Sequence, residues 1–205
     1  MAEDEGSIHP SALLAIRFLA LTGCRRSELL SHTMKVRRGE REGLRWGDVD
    51  LEGGMMTLHA TKTGRQVRVI GQAALKLLDE ARPKDAKADD PVCPGLRPGR
   101  PFVGIDKARV RLFVVAGLGD LEGVDLHSLR HTFASVGAHV QNGRFAAFVG
   151  QLLGHGYQKR SITERYIHSD PEALRPAADA ITEAIAARIG LSEAGRIVAL
   201  QGVGR

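Results

Sequence analysis

Cysteine is scarce. Cys24 and Cys93 are the only two in 205 residues and share no CxxC spacing, so neither a disulfide framework nor a zinc ribbon is implied. No apolar run approaches the roughly 18–20 residues that a membrane-spanning helix needs. The opening Met-Ala-Glu-Asp-Glu is acidic, where a secretory leader begins with positive charge. No repeat of solenoid period occurs. The expectation from these absences is a protein of the reducing cytoplasm with no membrane partner. What is present is ordinary for a globular chain: 43% hydrophobic and 26% charged residues. A chain of this length buries roughly two thirds of its unfolded surface, enough for one domain without a disulfide or metal staple.

Charge is unevenly placed. The formal net charge is +5, and the stretch from Arg25 to Arg45 alone holds seven basic residues against three acids. A local basic block of this kind points toward a polyanionic partner without identifying it.

Periodicity divides the chain into a mainly helical domain with one small sheet. Ser11 to Leu21 is apolar and helix-forming, with Ser11 after Pro10 as the expected N-cap. Gly53-Gly54 and Thr63-Gly64 separate three short runs, 49–51, 55–59 and 66–70, which read as an antiparallel meander whose second turn presents Lys62. In the last run Val67 and Val69 alternate with Gln66 and Arg68. Further helices are expected over 73–81, 106–115, 126–140, 145–153, 162–167 and 171–189. The Pro-, Asp-, Lys- and Gly-rich stretch 83–101 reads as a surface loop, and little holds the tail after Gly190.

Four segments carry chemistry-bearing residues. His127, Arg130 and His131 stand at i, i+3 and i+4 on one helix face. Paired histidines invite a zinc interpretation, but Ser128 stands where a zincin helix places its Glu, and Arg130 repels a cation. A face of Arg and His suits an anion, because guanidinium grips phosphate oxygens as a fork. Leu152-Leu153-Gly154-His155 ends a helix at a glycine, and Glu164-Arg165-Tyr166 follows with one of only two tyrosines. Near the N-terminus, Thr22-Gly23-Cys24-Arg25-Arg26-Ser27-Glu28 places Arg25 just past a helix-breaking glycine.

Taken in order, TGCRRSE, the Lys62 turn in TKTGR, HSLRH, LLGH and ERY resemble the catalytic domain of the tyrosine recombinases, or phage integrases, over about residues 10–190. The resemblance implies an α+β, mainly α-helical fold with a small three-stranded antiparallel sheet. It implies a site-specific recombinase that breaks and rejoins double-stranded DNA through a 3′-phosphotyrosyl intermediate, without metal or cofactor. Residue by residue it implies Tyr166 as nucleophile, Arg25 and Arg130 as phosphate clamps, and His155 as a further donor. Lys62 becomes the acid that protonates the leaving 5′-oxygen, and His127 the group that helps accept the tyrosine proton. It also implies a homotetramer on DNA, monomeric in solution, associated with the nucleoid when bound. Two competing functions share much of this pattern: a type IB topoisomerase, and a non-catalytic DNA-binding remnant.

The sequence departs from the family pattern in several places. The twelve residues Ser31 to Glu42 intervene before the GLRW segment, and within them Arg37-Arg38-Gly39-Glu40 echoes Arg25-Arg26-Ser27-Glu28. The stretch from His155 to Tyr166 is about two residues longer than usual, and Tyr157 within it is the rival nucleophile. No N-terminal core-binding domain precedes Pro10, so the expectation is a catalytic domain at 10–190 with a tail at 191–205. Helix 171–189 either packs on its own core or docks onto a neighbouring copy. Between the two candidate first arginines, the Gly23 junction favours Arg25. Arg25→Ala is therefore expected to slow DNA strand cleavage on the order of a hundred- to a thousand-fold, while Arg37→Ala leaves it nearly unchanged. Single-turnover cleavage of a suicide substrate measures both.

Overall fold

A computed structural model of the chain describes residues 8–30, 42–59, 61, 64–118, 123–154 and 170–191. At its centre lies α1 (Pro10–Thr22), with Ala12, Ala15, Phe18, Leu19 and Leu21 all buried. A helix this apolar around its circumference has to be enclosed, and other helices pack around it. Pro10 takes the first helical position, where its missing N–H costs nothing. The N-cap is His9, not Ser11: the His9 Nδ1 accepts the Ser11 N–H at 3.2 Å. The Ser11 hydroxyl is engaged elsewhere, donating to the Pro94 carbonyl at 2.7 Å.

After the single turn α2 (Arg26–Leu29), a 3-10 turn at Trp46–Asp48 leads into the sheet. Strands β1 (Val49–Asp50), β2 (Met55–Leu58) and β3 (Gln66–Val69) form the expected antiparallel meander in the order β1-β2-β3. Lys62 lies outside the described residues. The register pairs Met56 with Arg68 and Leu58 with Gln66. Because directly paired residues share a face, Gln66 and Arg68 lie on the face where Met56 and Leu58 are buried. Val67 is 55% exposed and Arg68 only 3%. The polar positions of β3 therefore turn inward and one of its valines turns out.

Helix α3 (Gln72–Ala81) follows. The stretch 83–101 is more than a surface loop, since Val92 and Cys93 are each 1% exposed. The Val92 N–H donates to the Leu44 carbonyl and the Trp46 N–H to the Asp90 carbonyl, both at 3.0 Å. Turn-forming residues flank this apolar pair and fold it into the core as a strap. Helix α4 (Ile105–Val115) lies at the periphery, with Ile105 its one residue in the core.

Helix α5 (Leu126–His139) starts from a reciprocal cap. Asp125 Oδ1 accepts the Ser128 N–H at 2.9 Å, and the Asp125 N–H donates to the Ser128 hydroxyl at 3.2 Å. The expected helix over 145–153 is divided: a 3-10 turn at Ala146–Phe148 precedes α6 (Val149–Leu152). The chain reaches it through Gln141, Asn142 and Gly143, all in the left-handed region, which reverses its direction too sharply for one continuous helix.

Helix α7 (Pro171–Arg188) is capped by Asp170, whose Oδ1 accepts the Glu172 N–H at 3.0 Å. Its Ala177, Ala178, Ile181, Ile185 and Ala186 are buried, and it packs on α1, α3 and α5 of the same chain. Of the two expectations for this helix, packing on its own core is the one the structure shows. The expected helix at 162–167 and the tail from 192 lie outside the described residues. No described helix is long and apolar enough to cross a membrane. Because Ile181 is wholly enclosed within one chain, Ile181→Ala is expected to cost about 2–5 kcal/mol. Urea denaturation checks this, with a midpoint independent of protein concentration.

Candidate active site

The site is built where α1 ends. Thr22 turns its hydroxyl onto the Phe18 carbonyl at 2.7 Å, and Gly23 follows as the helix cap at φ 61°. This left-handed conformation favours glycine. A β-carbon there would also stand 2.5 Å from Leu153 Cδ2. The cap redirects the chain so that Arg25 opens α2. Glu28, at the third position of that turn, reaches back to the Arg25 N–H with Oε2 at 2.7 Å, the acidic half of a capping box.

Glu28 is the buried carboxylate of the site. Its Oε1 accepts Arg25 Nη1 and Arg68 Nη2, both at 2.8 Å, and its Oε2 accepts Arg68 Nη1 at 3.0 Å. Burial alone would raise the Glu28 pKa. The hydrogen bonds and charge of Arg68, with smaller contributions from Arg25, outweigh it and hold the carboxyl below its ordinary value of 4.5. Cys24 is enclosed in the same cluster, and burial pushes its thiol pKa up.

Arg130 enters from α5. Its Nη1 donates to the Gly23 carbonyl at 2.6 Å and its Nη2 to the Leu153 carbonyl at 2.8 Å. The side chain thus ties the end of α1 to the end of α6. Burial, and then repulsion from Arg25 and Arg68, pull its pKa down to about 10, so it is still charged at neutral pH. Gly154 follows Leu153 at φ 66°, and its carbonyl accepts Gln66 Nε2 at 3.4 Å.

The structure therefore brings Arg25 and Arg130 into one cluster, although they come from opposite halves of the chain. His127 is placed differently. It is exposed on the first turn of α5, its ring edge-on to His131 at 4.8 Å between centroids. The shared face expected for 127, 130 and 131 is thus divided, with both histidines outward and Arg130 inward. Lys62, His155 and Tyr166 lie outside the described residues, as do Arg37 and Tyr157. Among the described residues, no three His, Cys, Asp or Glu side chains converge in a way that could hold a metal ion.

Sequence reasoning missed Arg68 and Gln66. The available signal was the strand register: in a two-residue alternation, Arg68 had to share a face either with exposed residues or with Met56 and Leu58. Three guanidiniums around one carboxylate leave this cluster positively charged, and the arrangement suits a phosphate group.

The model of the phage integrase family matches residues 1–173. Tyrosine recombinase XerC of Xylella fastidiosa (strain 9a5c) is 33% identical over 154 residues, covering 74% of this chain and 50% of that protein. Tyrosine recombinase XerA of Saccharolobus solfataricus is 32% identical over 165 residues, covering 79% and 47%. The chain spans about half the length of these curated relatives. Among solved structures, the XerH site-specific recombinase bound to difH substrate aligns with a TM-score of 0.48 at 21% identity, covering 82% of this chain and 46% of that one. A lambda integrase(75-356) dimer bound to a COC′ core site aligns at 0.47 and 18%, covering 74% and 54%.

The depressed Glu28 pKa has a definite sign. The folded protein binds this proton more weakly than the unfolded chain does, so the stabilisation is full above pH 4.5 and is lost as pH falls through the folded value. Glu28→Gln is expected to flatten this part of the acid limb, measured as urea midpoint against pH. At neutral pH it is expected to lower stability by about 3–5 kcal/mol, because it leaves buried Arg68 without its counter-charge.

Proposed function

Because the chain belongs to the phage integrase family, we propose that it is the catalytic domain of a site-specific recombinase that cuts and rejoins double-stranded DNA. The observation that carries this is the pairing of Arg130 with Arg25. Arg130 is 5% exposed and uses main-chain carbonyls as its anchors. Neutral acceptors fix the orientation of its fork while leaving its charge uncancelled. Among the described residues it spends two of its five N–H donors this way. The Arg25 side chain is one-third exposed and gives one donor to Glu28. Among the described residues, both retain donors for the non-bridging oxygens of a phosphodiester.

In this mechanism the Tyr166 oxygen attacks phosphorus. A Tyr Oη–P bond forms, the P–O5′ bond breaks, and the protein is left on the 3′-phosphate. Negative charge grows on the non-bridging oxygens as five-coordinate phosphorus forms, and preorganised guanidiniums stabilise it without reorganisation. The phenol has an ordinary pKa of about 10, so its proton must be taken as attack proceeds. His127, exposed on the opening turn of the helix that carries Arg130, is the acceptor. Lys62 protonates the departing 5′-oxygen, and His155 adds a donor to the phosphate. The phosphotyrosyl bond conserves the phosphodiester's energy, so a second 5′-hydroxyl reseals the strand with no cofactor. Strand exchange proceeds in a tetramer assembled on DNA from copies that are monomeric in solution.

A suicide substrate whose cleaved 5′-end diffuses away tests the proposal. The unaltered chain is expected to trap a covalent protein–DNA adduct, and Tyr166→Phe to lose it while still binding DNA. An adduct that persists in Tyr166→Phe overturns the nucleophile. Binding without an adduct in the unaltered chain makes it a non-catalytic remnant.

A further inference from the structure

Glu28 presents a difficulty for a phosphate site, because a carboxylate touching Arg25 cancels the charge that the substrate needs. The hydrogen bonds around Glu28 resolve it. Each Glu28 oxygen accepts one hydrogen bond from Arg25 and one from Arg68, which fills the carboxylate's four lone-pair directions. Arg68, in turn, has committed all five of its donors. Nε goes to Gln66 Oε1 at 3.1 Å. Nη1 is shared between Glu28 and, at 3.7 Å, Cys24 Sγ. Nη2 is shared between Glu28 and Gln66 at 2.8 Å each. Its side chain is 1% exposed, whereas that of Arg25 is 33% exposed. Arg68 therefore has neither a free donor nor a path to a substrate.

We propose that Arg68 is a positioning residue: it neutralises Glu28, so that Glu28 aims Arg25 without cancelling its charge, and it props the Gly154 turn that leads into His155. This rests on the phosphodiester assignment above. The second part follows from contact. A β-carbon at Gly154 would run into the Arg68 guanidinium and Gln66 Oε1, and Gln66 in turn holds the Gly154 carbonyl. One inward-facing strand thus braces Gly154 and the turn that carries Arg25 together.

The test uses the full chain and a short DNA duplex of arbitrary sequence, with affinity measured against salt concentration. Arg68→Met leaves Glu28 to Arg25 alone, so the slope of log affinity on log salt is expected to fall by about one phosphate's worth. The charge-balanced double variant Arg68→Met with Glu28→Gln no longer cancels the Arg25 charge and is expected to recover the lost slope, at an affinity below that of the unaltered chain because Arg25 is no longer aimed. Arg68→Lys, which keeps the charge, is expected to retain it. Circular dichroism establishes that each variant is folded. If Arg68→Met does not fold, the double variant decides alone, since an Arg68 that itself contacted phosphate would lose the slope there too. An unchanged slope in Arg68→Met, or a reduced slope in the double variant, overturns the proposal while the DNA-binding assignment stands. Failure of the unaltered chain to bind the duplex overturns both.

Discussion

Everything around the site depends on one buried carboxylate. Glu28 closes the turn that begins at Arg25, and it is the point where the end of α1 is joined to strand β3 through Arg68. A charged group this enclosed is costly in isolation, and breaking such a pair by removing one partner costs about 3–5 kcal/mol. The cost is offset only because every lone pair is occupied in good geometry. Four short bonds on two oxygens, two from the Arg68 guanidinium, one from the Arg25 guanidinium and one from the Arg25 main chain, tie the start of α2 to β3.

Arg25 and Arg130 are oriented by different means. Arg25 is oriented by an anion whose charge another arginine absorbs. Arg130 is oriented by two carbonyls, one contributed by the glycine that caps α1 and one by the last turn of α6. Both devices hold a guanidinium still without neutralising the cluster as a whole. The depressed pKa of Arg130 registers the resulting electrostatic strain, since burial and two neighbouring cations oppose its charge. Under the proposed function, a phosphate held by Arg25 and Arg130 would relieve that repulsion.

Much of this was legible beforehand. The enclosed helix α1, the meander, α3, α5 and α7 all follow from apolar spacing bounded by Gly, Pro and Asp. Arg25 and Arg130 were singled out by their motifs, and the structure brings them into one cluster. What escaped were features fixed by long-range contact. His9 displaced Ser11 as cap because the Ser11 hydroxyl found Pro94, 83 positions away. Val92 and Cys93 entered the core because a turn-rich stretch closed over the segment 44–46. Alternation put Arg68 on the face opposite Val67 and Val69, but alternation alone does not say which face is inside. Its inward placement depends on a partner 40 positions earlier, the Glu28 carboxylate. A buried ion pair has no local periodicity to betray it.

The central claim is that this cationic cluster serves phosphodiester attack by Tyr166. The most direct measurement is the chemical identity of the protein–DNA junction. Trapped adduct, digested with nuclease and protease and sequenced by mass spectrometry, is predicted to yield a nucleotide joined through its 3′-phosphate to the Tyr166 oxygen. A nucleotide carried on Tyr157, or on any residue other than Tyr166, would contradict it.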